Sequence, residues 1–158
     1  MTTIPLPAED NQFLAGHIGL LRRSLWHWTG RDLVSPRMSD AEAARFLFSA
    51  PFALLSHDSQ PDPVFNYANQ TAMSLFAMNW EDITACPSRL SAEPVNQAER
   101  ARLLREVTEN GYSDGYRGVR IGRHGRRFEI EAAVVWNVRD ERGIYQGQAA
   151  SFRHWRWL

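Results

Sequence analysis

An α+β domain built on an antiparallel sheet, with two helices ahead of it, is what this 158-residue sequence predicts. Three observations carry that expectation. Apolar residues recur at helical spacing before residue 50, and two short alternating segments flank a proline-rich turn between 52 and 68. From Tyr112 onward the chain alternates in long runs broken only by glycine-containing turns. A helical middle lies between the two strand-like regions.

Residues 1–9 (MTTIPLPAE) show no periodicity and read as a loosely ordered leader. From Phe13 to Thr29, Leu14, Ile18, Leu21, Leu25 and Trp28 recur at steps of three and four, and Gly30 stops the pattern. A second helix starts at Ser39 or Asp40, where Ser39 and Glu42 have the spacing of a capping box, and runs to about Phe48. Residues 10–49 are thus a helical extension and 50–158 the sheet-forming domain. Strands are expected near 52–58 and 64–68 around the turn Gln60-Pro61-Asp62-Pro63, after which Asn69 is placed to cap a helix bearing Ala72, Met73, Leu75 and Phe76. Short elements anchored by Trp80, Ile83 and Leu90 lead to Pro94. Asn96 with Glu99 suggests the start of a longer helix carrying Leu103, Leu104 and Val107 and ending at Asn110-Gly111. Three strands complete the chain: YSDGYRGVRI; RRFEIEAAVVWNV, with Phe128, Ile130, Ala132, Val134 and Trp136 on one face; and IYQGQAASFRHW.

Composition narrows the function classes. The chain is 44% hydrophobic and 23% charged, with 18 basic residues, all arginine, balanced by 18 acidic ones, so no global field draws in a polyanion. Nucleic acid is therefore not expected as a partner, although Arg120, Arg123, His124, Arg126 and Arg127 make one hairpin locally basic. The lone Cys86 excludes a disulfide framework and any thiolate-rich metal centre, and His17, His27, His57, His124 and His154 fall in no metal-binding spacing. No apolar run reaches membrane-spanning length, so a soluble cytoplasmic protein without a membrane partner is expected.

The strings FNYANQTAMSLFAMNWEDI, PSRLSAEPVNQAERARLLREVTENGY, GVRIGRHGRRFEIEAAVVWNV and GIYQGQAASF resemble the stand-alone bacterial members of the MEKHLA domain family, over roughly residues 10–157. The resemblance implies a PAS-like fold: a five-stranded antiparallel sheet with helices over one face, preceded here by the two N-terminal helices. It also implies a sensory or partner-binding role with no established reaction. PAS-like domains hold a small molecule between helices and sheet, or use the sheet's outer face for a partner. Phe65, Tyr67, Met73, Phe76, Trp80, Leu90, Trp136 and Phe152 are the ligand-pocket candidates on that basis, each equally able to be ordinary core. Light-sensing flavin PAS domains carry a cysteine directly before an Arg-Phe-Leu run. In ITACPSRLSAEP, Cys86 stands two residues too early and the Phe is missing, so a small buried hydrophobe is expected there instead.

No catalytic or metal-ligating set emerges, and no cofactor is identifiable. Ser56-His57-Asp58 contains the residue types of a nucleophilic triad, but neighbours on a strand point to opposite faces and cannot form the relay. Glu129 and Glu131 share a strand face among arginines and read as cross-strand ion pairs. The expectation is a non-catalytic sensory or protein-interaction module that binds a small apolar or aromatic ligand, a protein partner or a second copy of itself. Two alternatives stay open: a small enzyme, marked by convergence of His57, Asn66 or Glu131 on a pocket, and a structural or protein-binding domain with no ligand.

Overall fold

Ile18, Leu21 and Leu25 form the buried face of α1 (Ala15–Thr29), which ends where Gly30 takes φ 70° and its N–H meets the Trp26 carbonyl at 2.8 Å. The computed structural model describes residues 3–158, so Met1 and Thr2 of the expected leader lie outside the described residues. Helix α2 (Asp40–Phe48) begins on the expected reciprocal cap: Glu42 N donates to Ser39 Oγ at 3.1 Å and Ser39 N to Glu42 Oε1 at 3.2 Å. Buried Arg22 ties the two helices together, donating to both oxygens of Asp32 at 3.0 Å and to Asp40 at 2.9 Å. Ahead of α1, residues 3–8 carry no helix or strand, yet the Ile4 carbonyl accepts the Trp80 indole N–H at 2.8 Å.

The sheet is antiparallel, in the order β2 (Phe65–Ala68), β1 (Ala53–His57), β5 (Tyr145–Phe152), β4 (Arg127–Arg139), β3 (Tyr112–Ile121). The single final strand expected from sequence breaks at Arg153. Its continuation β6 (His154–Trp157) still pairs with β4, opposite Phe128 to Glu131. Arg126 stacks 3.6 Å over the Trp157 ring of β6.

A bulge in β4 corrects the expected alternation. Ala132 adopts φ 51°, and the register with β3 slips between Tyr116 and Gly118. Because strand side chains alternate with period two, one inserted residue exchanges the faces. Phe128 and Ile130 pack with Phe76 and Phe152, whereas Trp136 and Val138 pack with α1. The Trp136 indole donates to the Leu21 carbonyl at 3.1 Å.

Helices thus cover both faces. On one side lie α3 (Gln70–Phe76) and α5 (Pro94–Asn110), against Leu55, Phe65, Ile130 and Val135. On the other, α1 packs with α2 against Leu54, Tyr67, Trp136 and Val138, joined by Trp80 of the short α4 (Trp80–Ile83). The outer face expected to meet a partner is therefore occupied by α1 along β1 and the C-terminal half of β4. Two further expectations shift. Helix α5 starts at Pro94 with Glu93 as its cap residue, earlier than Asn96, because proline fits a first helical turn that has no partner for its N–H anyway. Leu90, expected as an anchor, is half exposed, since the 3-10 turn Ser88–Ser91 turns both serines inward.

Candidate functional site

Between α5 and the inner sheet face lies a cavity of about 70 Å³, to which all five strands of the main sheet contribute. Alternation along β1 brings Leu55 and His57 to it, the bulged β4 brings Ile130, Ala133 and Val135, and β5 brings Gln148 and Phe152. Helix α5 lays Arg100, Leu103 and Leu104 against the cavity opposite the sheet, and β3 adds Tyr116 and Arg120. Most of the wall is hydrocarbon, with a few polar groups converging on it, the usual composition of a small-molecule site.

Several of those polar groups are buried without a partner. Tyr116 Oη, His57 Nε2 and Gln148 Oε1 make no hydrogen bond among the described residues. The orientation of Gln148 is fixed, because its Nε2 donates to the Leu104 carbonyl at 3.0 Å and to Thr108 Oγ1 and Asn137 Oδ1 at 3.1 Å. The His57 tautomer is likewise fixed by Nδ1–H donating to the Asp58 carbonyl at 2.9 Å. Burial lowers the His57 pKa, so the ring is neutral and its Nε2 presents a lone pair. Gln148 Oε1 is near enough to favour the charged ring slightly, but without hydrogen-bond geometry. Two acceptors thus share one corner of the cavity with no donor between them.

Arg100 and Arg120 are the second feature. Both are buried, and neither lies within salt-bridge distance of a carboxylate among the described residues, unlike the doubly paired Arg22. Arg100 donates to Ser88 Oγ, and Arg120 to its neighbour's Val119 carbonyl at 2.9 Å while lying 5.5 Å over the Tyr116 ring. Burial, with the repulsion of Arg120 next, brings the Arg100 pKa down to about 10, which leaves it charged at neutral pH.

Of the eight residues expected to line a pocket, Phe65, Phe76 and Phe152 are at this cavity. Tyr67, Trp80 and Trp136 are packed instead in the cluster under α1, Met73 lies between the two clusters away from the cavity, and Leu90 faces solvent. The residues that would have marked an enzyme site lie apart: His57 is at the cavity, Asn66 accepts from Ser56 Oγ at 2.6 Å, and Glu131 is on the outer face beside Arg117. Ser56 does meet a histidine, but it is His17 of α1, at 2.9 Å. Glu129 sits between Arg117 and Arg156, at 3.8 and 3.3 Å, as cross-strand ion pairing requires. Cys86 is outside the cavity, its thiol on the Pro87 carbonyl at 3.4 Å and its pKa raised by burial. Arg100, Tyr116, Arg120 and Gln148 were not among the expected pocket residues. For Arg100 a signal existed, since it lies three, four and seven residues before Leu103, Leu104 and Val107, on the apolar stripe of its helix.

The family model described as MEKHLA domain matches residues 15–157. Among curated proteins none matches the chain. Solved structures share its fold at low identity. The PAS domain of a protein from Colwellia psychrerythraea superposes with a TM-score of 0.61 at 16% identity, over 73% of this chain and 93% of that one. The light-state dimer of the fungal blue-light photoreceptor Vivid gives 0.58 at 16%, over 84% and 90%. A light-oxygen-voltage domain studied with a flavin analogue gives 0.57 at 18%, over 73% and 84%. No helix among the described residues is long and apolar enough to cross a membrane.

Proposed function

The chain belongs to the MEKHLA domain family, and from that premise we propose that it is a non-catalytic PAS-like sensory module that takes up a small molecule in the cavity between α5 and the sheet. The observation that carries this reading is the set of buried polar groups left unpartnered around an otherwise apolar space, because such groups are costly unless something completes their bonding. An occupant would touch α5 and all five main strands at once, so its presence would bias the position of α5 over the sheet. On this reading residues 1–9 are a leader, 10–49 an extension and 50–158 the sensing domain. Output would pass to a protein partner or a second copy in the cytoplasm, through surface that α1 leaves free.

Native mass spectrometry of freshly purified protein, repeated after denaturation, tests it. A released small molecule in stoichiometric amount is expected; a mass equal to the bare chain, with no stabilisation by any of a panel of small metabolites, would overturn the reading. Ala150→Leu is a second check, since this cavity-lining residue would fill the space with side chain. The variant is expected to fold cooperatively at a cost of about 1–3 kcal/mol and to lose the bound molecule. Retention of the molecule by the folded variant would place binding elsewhere.

A further inference from the structure

Resting on that reading, we propose that the cavity is a site for a short hydroxycarboxylate, with its carboxylate held between Arg100 and Arg120 and its hydroxyl donating to His57 Nε2.

Two buried guanidiniums without a carboxylate among the described residues are an unusual liability, because buried cations are ordinarily paired. Burial depresses Arg100, and the like charge of Arg120 adds to that. One anion between them removes both penalties, and the planar guanidinium fork matches carboxylate oxygens. The unpartnered Tyr116 hydroxyl is a further donor on that side. The opposite requirement arises at His57 Nε2 and Gln148 Oε1, two acceptors that need a donor. A ligand hydroxyl supplies one. Leu55, Leu103, Ile130 and Val135 in the remaining wall suit a short hydrocarbon segment. Size sets the last constraint. At about 70 Å³ the space is well below the roughly 150 Å³ of a cavity that accommodates benzene, so of the apolar or aromatic ligands expected from sequence it favours a short chain.

Isothermal titration of the full chain with lactate, propionate and lactamide tests the assignment. Lactate is expected to bind, with propionate weaker for want of the hydroxyl and lactamide at least tenfold weaker for want of the charge. Arg100→Met and Arg120→Met are each expected to weaken lactate at least tenfold, while Arg100→Met melts no lower than the parent without ligand, since an unpaired buried charge is gone. If either variant fails to fold, the lactate and lactamide comparison in the parent decides alone. Equal binding of lactate and lactamide, or no binding of any of the three up to tens of millimolar, would overturn the anion site. A neutral molecule released in the native spectrum would then leave the sensory pocket standing, whereas an empty cavity that takes nothing would remove both.

Discussion

Asn69→Ala is expected to destabilise the protein by about 4 kcal/mol, a large part of the 5–15 kcal/mol that typically holds a domain folded. The side chain is fully buried and every hydrogen-bonding capacity of its amide is used. Oδ1 accepts from Ala72 N at 3.0 Å, capping α3, and from Leu54 N at 3.1 Å in β1. Nδ2 donates to the Leu47 carbonyl at 2.9 Å and the Phe52 carbonyl at 2.8 Å, at the end of α2 and the entry to β1. Alanine would strand the Leu54 and Ala72 N–H groups and the Phe52 carbonyl beyond the reach of water, at about 1–3 kcal/mol each before relaxation, while the Leu47 carbonyl keeps its bond from Ala50 N at 3.3 Å. Asn69→Asp isolates the donor half, because a carboxylate can still accept from Leu54 and Ala72 but meets two carbonyl oxygens with no hydrogen to offer. Urea unfolding of both variants measures the effect. A loss below about 1 kcal/mol for alanine would mean that ordinary N-capping, worth roughly that much, is all Asn69 does.

Asn69 also shows how far a sequence can be read. Its capping role follows from local spacing alone, since it stands immediately before a helical apolar pattern. Its bonds to Leu47, Phe52 and Leu54 depend on how α2 meets β1, which no local rule encodes. The same division runs through the fold. Helices α1 and α2, the first hairpin and the order of the last strands are written in periodicity and caps, whereas the β4 bulge is not. Without the left-handed Ala132, Trp136 belongs with Phe128, and a pocket inferred from uninterrupted alternation draws in residues from both faces. The apolar walls of the cavity were therefore partly legible and its polar groups hardly at all. Arg120 sits among exposed basic residues of a hairpin in sequence, and only the tertiary approach of α5 and Ser88 turns this stretch of β3 into a cavity wall.

Acidification from pH 7 to pH 4 is expected to remove about 3 kcal/mol of stability through His17 alone. This histidine of α1 lies partly buried between the helix and the outer sheet face, stacked 5.8 Å from the Tyr67 ring, with Nε2 bonded to Ser56 Oγ at 2.9 Å. Ser56 gives its own hydrogen to Asn66 Oδ1 at 2.6 Å, so the His17 nitrogen is the donor and the neutral ring already makes this bond. Burial brings its pKa down to about 4, against 6.5 for an exposed histidine. Between those values the unfolded chain binds a proton that the folded chain does not, so stability falls as pH falls. The contribution is whole above about pH 6.5 and gone by about pH 4. His57, also lowered by burial, adds to the loss with the same sign. Carboxylates titrate in the same interval, so the decisive quantity is a difference: urea unfolding between pH 7 and pH 4 for the parent and for His17→Gln, which keeps an amide donor near Ser56 but cannot take up a proton. The variant is expected to start less stable at pH 7 and to lose about 3 kcal/mol less on acidification. Parallel stability curves would show that His17 is protonated in the folded protein as readily as in the unfolded chain, and that α1 does not seal the face it covers.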